Sequence, residues 1–444
     1  MYIERMRAAA VAAVLLTLAG APVAGQHPDH EMAADTMDEP PHAMWRTVFG
    51  DGWSLAGMAQ AFPILTIGAP FVDGSPLHET AAYLTQPVMM STLASPNARF
   101  ALRVTPNFEG ITQPDGELTF GAWGEGFIDK RHPHTFIHEL VLSFNDWDLW
   151  GGAGSISIGK GFAAYGTDDP MSRPVVKYPT NHHLSQVLER WMVTGAFLRN
   201  GWSLEASVFS GDEPEDPWDF SNITPFMNSW SVRTVRRWGA GRGPLAEWEA
   251  SVSYADVGEK HGDDVERTRL WNAAVRHSSE RVYGLVEVSY ADFEDVESLY
   301  SVLGEGRLAA GRRRPYARIE FATRPEFKRL GPGGTKGFFR YPFDAEPIGA
   351  TRWIAVTGGY GYEATRYPFS VRPFVEIGYF KVRGDRGPID PRTLFDATVF
   401  SSITFGARVF IGGDPMRMGA YGVLDPMTVM SRPHGAEATN HGGH

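Results

Sequence analysis

The sequence predicts an all-β chain folded as a transmembrane antiparallel β-barrel of about 14 strands, within a range of about 12–16. Three observations predict it. Stretches of about ten residues alternate apolar with polar or small side chains through most of the chain. After the first 25 residues no apolar run reaches the ~20 residues that a membrane helix takes. Single charges recur in mid-strand opposite the apolar stripe, where a packed soluble core does not tolerate them unpaired. A large soluble sandwich also alternates, but aromatic residues at the strand ends, as in interfacial girdles, favour the barrel.

The chain opens on a targeting segment. Arg5 and Arg7 precede an apolar run from Ala8 to Ala19, and Val23-Ala24-Gly25 supplies small residues before Gln26. Residues 1–25 read as a secretory signal peptide. About 420 residues remain, without cysteine, so disulfides and thiolate chemistry are excluded. A net charge of −11 argues against nucleic acid as a partner. Residues 26–44 are polar, acidic and unable to form a core. Residues 45–97 stay open between a first hairpin, with Trp53–Phe62 and Ile64–Ala69 either side of Pro63, and a periplasmic segment.

From 98 to 411 the barrel pattern is regular. Phe100, Leu102, Val104, Pro106 and Phe108 alternate with Ala101, Arg103, Thr105, Asn107 and Glu109. Further strands are expected at Glu117–Gly126, Phe136–Phe144, Gly152–Phe162, Val187–Leu198, Trp202–Ser210, Ser229–Trp238 and Ala246–Val257. Others are expected at Arg267–His277, Val282–Phe293, Arg314–Thr323, Thr351–Tyr362, Ser370–Val382 and Phe400–Ile411. Lumen-facing charges follow from the alternation: Arg103, Glu205, Glu249, Arg372, Glu376 and Arg408. Connections alternate between tight ones, as at Asn200-Gly201 and Glu280, and long polar ones at Gly211–Asn228, Glu294–Arg313 and Pro325–Gly349.

Ile403, Phe405, Ala407, Val409 and Ile411 form one face of the last strand, with Arg408 on the other. Thr404-x-Gly406-x-x-Val409-x-Ile411 resembles the sorting signal on the closing strand of bacterial outer-membrane β-barrels. The resemblance implies outer-membrane lipid as surroundings and the barrel-assembly machinery as a partner through Thr404–Ile411. In that family the signal usually ends the protein, whereas residues 412–444 follow it here. Gly159-Lys160-Gly161-Phe162-Ala163-Ala164-Tyr165-Gly166 resembles an element of the phosphate-selective porin O/P family, with Ala164 where that family often has proline. The segment after it is loaded with charge. If it folds into the lumen, Lys160, Asp168, Asp169, Arg173, Lys177, His182 and His183 form a constriction.

Two metal readings stand beside this. His27, His30, Met32, Met37, His42 and Met44 before the barrel, and Met416, Met418, His441 and His444 after it, are soft ligands suited to copper. The leader resembles that of barrel-type copper-resistance protein B. His132 and His134 lie ~6–7 Å apart on an extended chain, close enough to share a metal, whereas His134 and His138 lie ~13 Å apart, too far. The tail at 412–444 has an alternative use, since Tyr421–Met430 can pack back into the barrel as a plug.

No Gly-x-Ser-x-Gly elbow marks a hydrolase, and Gly331–Gly337 lacks the spacing of a phosphate loop, so no enzyme is expected. The functional expectation is a porin-like channel for passive diffusion of small hydrophilic or ionic solutes, as a monomer or a homo-oligomer. The alternatives are an outer-membrane copper-binding protein and a non-conducting structural surface barrel.

Overall fold

The computed structural model describes residues 45–70, 79–112, 120 and 135–432, the last without 168, 181, 215–216, 242, 262–263, 294–297, 330–342, 367–368, 388, 396 and 413–416. One antiparallel sheet runs through them. Its strands are β1 (Trp45–Phe49), β2 (Trp53–Pro70), β3 (Glu79–Ala94), β4 (Phe100–Pro106), β5 (Ile137–Leu149) and β6 (Gly152–Gly161). Then come β7 (Arg190–Arg199), β8 (Trp202–Phe209), β9 (Ser229–Trp238), β10 (Trp248–His261), β11 (Asp264–Ser278) and β12 (Val282–Phe293). The last six are β13 (Leu299–Leu308), β14 (Arg313–Arg329), β15 (Phe343–Tyr362), β16 (Ala364–Arg366), β17 (Phe369–Arg386) and β18 (Val399–Ile411).

Each strand pairs with the next, save that β15 and the short β16 both pair with β17, and β18 returns to β2, from Phe400 opposite Pro70 to Ile411 opposite Ala59. That seam leaves the sheet without a free edge, which is how a strand structure satisfies its backbone in lipid. The short β1 and β16 continue the rows of β18 and β15, so the closed barrel has 16 staves.

Sixteen is the upper end of the expected range of 12–16, and three staves beyond those expected singly bring the count there. Residues 45–97 supply β2 and β3. Pro63 does not end β2; it stays in the ladder beside a bulge where the register shifts between Gln60 and Phe62. The third is β13, inside the stretch expected as a long polar connection at Glu294–Arg313. Leu299, Ser301, Leu303 and Glu305 face inward there, and Gly304 and Gly306 interrupt the outward face that the alternation rule reads. The connection expected at Pro325–Gly349 shrinks too, because β14 and β15 extend into it. The strand expected at Glu117–Gly126 lies, apart from Phe120, outside the described residues.

The outer face is apolar. On β8, Trp202 and Leu204 are exposed, while Ser203, Glu205 and Ser207 are buried. An aromatic row, Trp230, Tyr254, Trp271 and Tyr290, crosses four strands with ring centroids 5.2, 5.3 and 5.3 Å apart. Trp238 and Trp248 stack at 5.9 Å near the other ends of the same staves. Two girdles around an apolar band are the pattern of an outer-membrane-type barrel, and this chain is one. Turns at the Trp248 end are tight where sequence permits positive φ. Asn200 and Gly201 have φ 51 and 75°, as a two-residue hairpin turn requires.

The inner face is not uniform. On β2, β3, β17 and β18 it carries Met58, Phe62, Ile64, Val88, Met90, Phe374 and Phe410. On β8 to β14 it carries Glu205, Arg233, Arg237, Glu249, Arg276, Glu287, Glu305, Arg318 and Glu320.

Candidate functional site: two inserts in the lumen

The segment between β6 and β7 runs into the barrel. Its apolar side chains explain the apolar sector of the inner wall. Phe162, Met171, Val176 and Tyr178 pack with Met58, Phe62, Met90 and Phe410 in one cluster. Ala163, Tyr165, Leu184 and Val187 join another with Val141, Met192 and Phe209. Burying such side chains is worth about 1.5–3 kcal/mol each.

Polar ties reach nearly round the wall. Ala164 N donates to Ser207 Oγ at 2.8 Å and Gly166 N to Ser253 Oγ at 2.9 Å. Thr167 Oγ1 donates to Glu287 at 2.5 Å. Arg173 lies 3.3 Å from Glu287 and 3.8 Å from Glu305. Arg318 donates to Lys177 O at 2.7 Å, and Glu320 accepts from Thr180 N at 2.6 Å. Glu376 accepts from Val176 N at 3.2 Å, and Arg408 donates to Arg173 O and Pro174 O at 2.9 and 3.0 Å. The loop ends at Glu189, held at φ 52° while its carboxylate accepts from Thr135 Oγ1 at 2.5 Å and contacts His138 Nδ1 at 2.6 Å.

The second insert is the tail. After β18 the chain turns at Gly412 (φ 80°), where a Cβ would stand 2.5 Å from the Trp45 ring. From 417 it climbs into the lumen and returns. Arg417 makes two 2.8 Å bonds to Glu249. Gly419 N donates to Glu139 at 3.1 Å, and Arg233 donates to Gly419 O at 3.3 Å. At the top, Tyr421 Oη donates to Glu139 at 2.9 Å and accepts from Phe162 N at 2.9 Å, so the inserts meet there. Burial, then the adjacent Glu139 charge, push the Tyr421 phenol well above its usual range. Descending, Asp425 pairs with Arg103 at 3.1 Å and caps the short helix Pro426–Met430 through Met427 N and Thr428 N. Ser431 O accepts from Arg46, and Arg432 stacks 4.2 Å over Trp147.

These contacts place the residues singled out in the sequence. Arg103, Glu205, Glu249, Arg372, Glu376 and Arg408 all point inward and are buried. Four hold inserts: Arg103 and Glu249 the tail, Glu376 and Arg408 the loop. Glu205 pairs with Arg233 at 2.5 Å and Arg372 with Glu363 at 2.5 Å within the wall. Of the constriction set, Asp169 caps a turn by accepting from Met171 N, and Lys177 donates to Tyr83 Oη at 2.5 Å. His182 sits with its ring centroid 4.9 Å from both Tyr178 and His183. Asp168 lies outside the described residues.

Lys160 departs from the constriction. It stands opposite Leu140 and Trp191, on the outward row of the sheet, and donates to Thr135 Oγ1 at 2.9 Å and Asp219 O at 3.4 Å. Gly159, at φ 148°, precedes it in the ladder.

The metal residues His27, His30, Met32, Met37, His42, Met44, His132, His134, Met416, His441 and His444 lie outside the described residues. Met418 is described, and it is packed against Phe162 in the core. Met427 is fully buried, its sulfur accepting from Arg103 at 3.0 Å. Both thioethers are buried. Among the described residues, no three His, Asp or Glu side chains cluster as a metal site. The residues that sequence reasoning missed are Glu139, Glu287, Glu305, Arg318 and Glu320. The only signal for them was inward parity on strands already drawn.

No family model matches the chain, and no curated protein matches it. Solved structures do match in outline. An anion-selective porin from Comamonas acidovorans matches at 9% identity and TM-score 0.46, over 81% of this chain and 100% of that one. The outer membrane channel DcaP of Acinetobacter baumannii matches at 10% identity and TM-score 0.49, over 82% of this chain and 99% of that one. OprB of Pseudomonas putida matches at 9% identity and TM-score 0.43, over 80% of this chain and 94% of that one. The barrel assignment rests on this chain's own closed ladder of strands.

Proposed function

We propose that the protein is a porin-like channel of the outer membrane, through which small hydrophilic or ionic solutes diffuse passively, and that the loop and the tail set its width at rest. The observation that carries this reading is the inner wall of β8 to β14, where carboxylates and guanidiniums alternate behind an apolar outer face. Polar inside and apolar outside is what a water-holding barrel requires. Mixed signs imply weak charge selectivity. On this reading Thr404–Ile411, in the strand that closes the barrel, is what the assembly machinery reads.

The test is single-channel conductance in planar bilayers, comparing the full chain with one ending at Gly412. The full chain should give small discrete openings, and the shortened chain openings several-fold larger. Silence from both, in preparations that migrate as folded barrels before heating, supports the second reading, a non-conducting structural barrel, which the two inserts favour. Under a salt gradient, Arg173→Glu with Lys177→Glu should shift the reversal potential toward cations; an unchanged potential removes the loop as the selectivity element.

A further inference from the structure

The connection from β8 to β9 is not the polar loop its sequence position suggests. Within residues 217–228, Trp218 is 71% and Met227 62% exposed, and Phe220, Ile223 and Phe226 are each at least 40% exposed. The backbone carrying them is stitched to the rim. Pro217 O accepts from Phe136 N at 3.0 Å, and Phe220 O from Trp191 Nε1 at 3.3 Å. Asn222 donates to Glu189 O at 3.3 Å and Asp212 O at 3.0 Å, and Asn228 donates to Gly258 O at 2.5 Å. The ring of Trp218 packs on Phe136 at 4.1 Å.

The register fixes where this segment lies. Lys160 and Trp191 are on the outward row, and Asp219 and Phe220 cover Lys160, with the ammonium 5.1 Å from the Phe220 ring. Residues 217–222 therefore lie against the outside of the wall, at its long-loop end. Trp230, two residues beyond the segment, is the first member of the aromatic row that marks a membrane interface.

We infer that residues 217–228 form an apron seated in the membrane, their apolar side chains resting among lipid at the boundary of headgroups and acyl chains. Three observations select lipid as the occupant. The patch continues the lipid-facing wall through Trp191 and Trp230. The five side chains together expose on the order of 500 Å², given about 150–250 Å² for a large aromatic, short of the ~800 Å² each partner buries in a standard protein interface. The strand that leads into the segment is short: β8 has 8 residues, against the ~9–11 that span a bilayer. The apron supplies apolar height beyond its end.

The chain contains no cysteine, so Ile223→Cys and Met227→Cys each accept a single bimane label in the full-length protein. Val252→Cys, on the outward face of β10, reports the lipid band, and Glu280→Cys, in a tight turn, reports water. The proteins go into phosphatidylcholine–phosphatidylglycerol vesicles containing lipid with a nitroxide high on the acyl chain. The labels at 223 and 227 should be quenched by that lipid several-fold more than the label at 280, as at 252, and resist iodide. Quenching by iodide as at 280 overturns the inference, because the patch then faces water. Protection from both quenchers also overturns it, and a dimer formed with a bifunctional thiol reagent identifies a second copy as the occupant. Each variant is read only if it migrates as a folded barrel, and Phe226→Cys replaces either that does not.

Discussion

The loop at 162–189 and the tail at 417–432 both fill the barrel, yet they are held differently. The loop gives eight apolar side chains to shared clusters with the wall. The tail gives Met418 and Tyr421 to those clusters, and otherwise sets Val423 against Ser155 and Met427 between Thr92 and Arg103. Apolar burial is non-directional and adds with area, so the loop is part of the wall. The tail depends on a few directed ion pairs and hydrogen bonds, each of which can be removed singly. A barrel can thus carry one insert as architecture and another as a ligand tethered to itself.

The largest effect should come from charging each insert. Val176→Asp places a carboxylate in the loop's apolar packing, at a cost of several kcal/mol, and should lower the temperature of the heat-induced gel shift or abolish the folded band. Val423→Asp should leave that shift in place and expose Arg417 and Arg432 to trypsin. Equal loss of the folded band in both variants would break the comparison. Next is Asp425→Ala. It strips Arg103 of its nearest carboxylate, worth about 3 kcal/mol for a buried pair, and should release the tail to trypsin with the barrel intact. Arg417→Gln should do less, about 1–2 kcal/mol, because Glu249 keeps Arg237 at 2.9 Å and Arg276 at 3.7 Å.

Tyr421→Phe should have the smallest effect, about 1 kcal/mol, seen as slightly faster trypsin cleavage. Its pH dependence sharpens the point. The seated phenol has a raised pKa, so the folded tail holds this proton more tightly than the free tail. Its contribution is complete below about pH 10 and is lost as pH rises through the raised value. Protection of the tail should fall above that pH in the parent and lack this component in the Phe variant.

Much of the barrel was legible because outward apolar residues face inward polar ones on β4 to β12, and that contrast is the signal alternation reads. It fails where the inner face is apolar as well. β2 carries Leu65 and Ile67 outside but Phe62 and Ile64 inside, and nothing local says that a loop a hundred residues away will cover them. β13 fails for the opposite reason, its outward face being thinned by glycine. Inward direction was readable for Arg103, Glu249 and Arg408. What each would hold was not, because the partners come from the loop and from the end of the chain. The methionines of the tail read as soft ligands by composition, and composition does not show that Met418 lies buried in the packing.

The tail's seat has a consequence for how the molecule is made. Arg46, Arg103, Glu139, Arg233 and Glu249 come from β1, β4, β5, β9 and β10, and the tail itself hangs from β18. An open sheet presents these groups along a curved ribbon, with β18 at the far edge from β1. They converge around residues 417–432 only after the β18–β2 seam has formed. Docking of the tail therefore follows closure of the seam. A seated tail is thus a sign, readable from inside the lumen, that the ring of strands is complete.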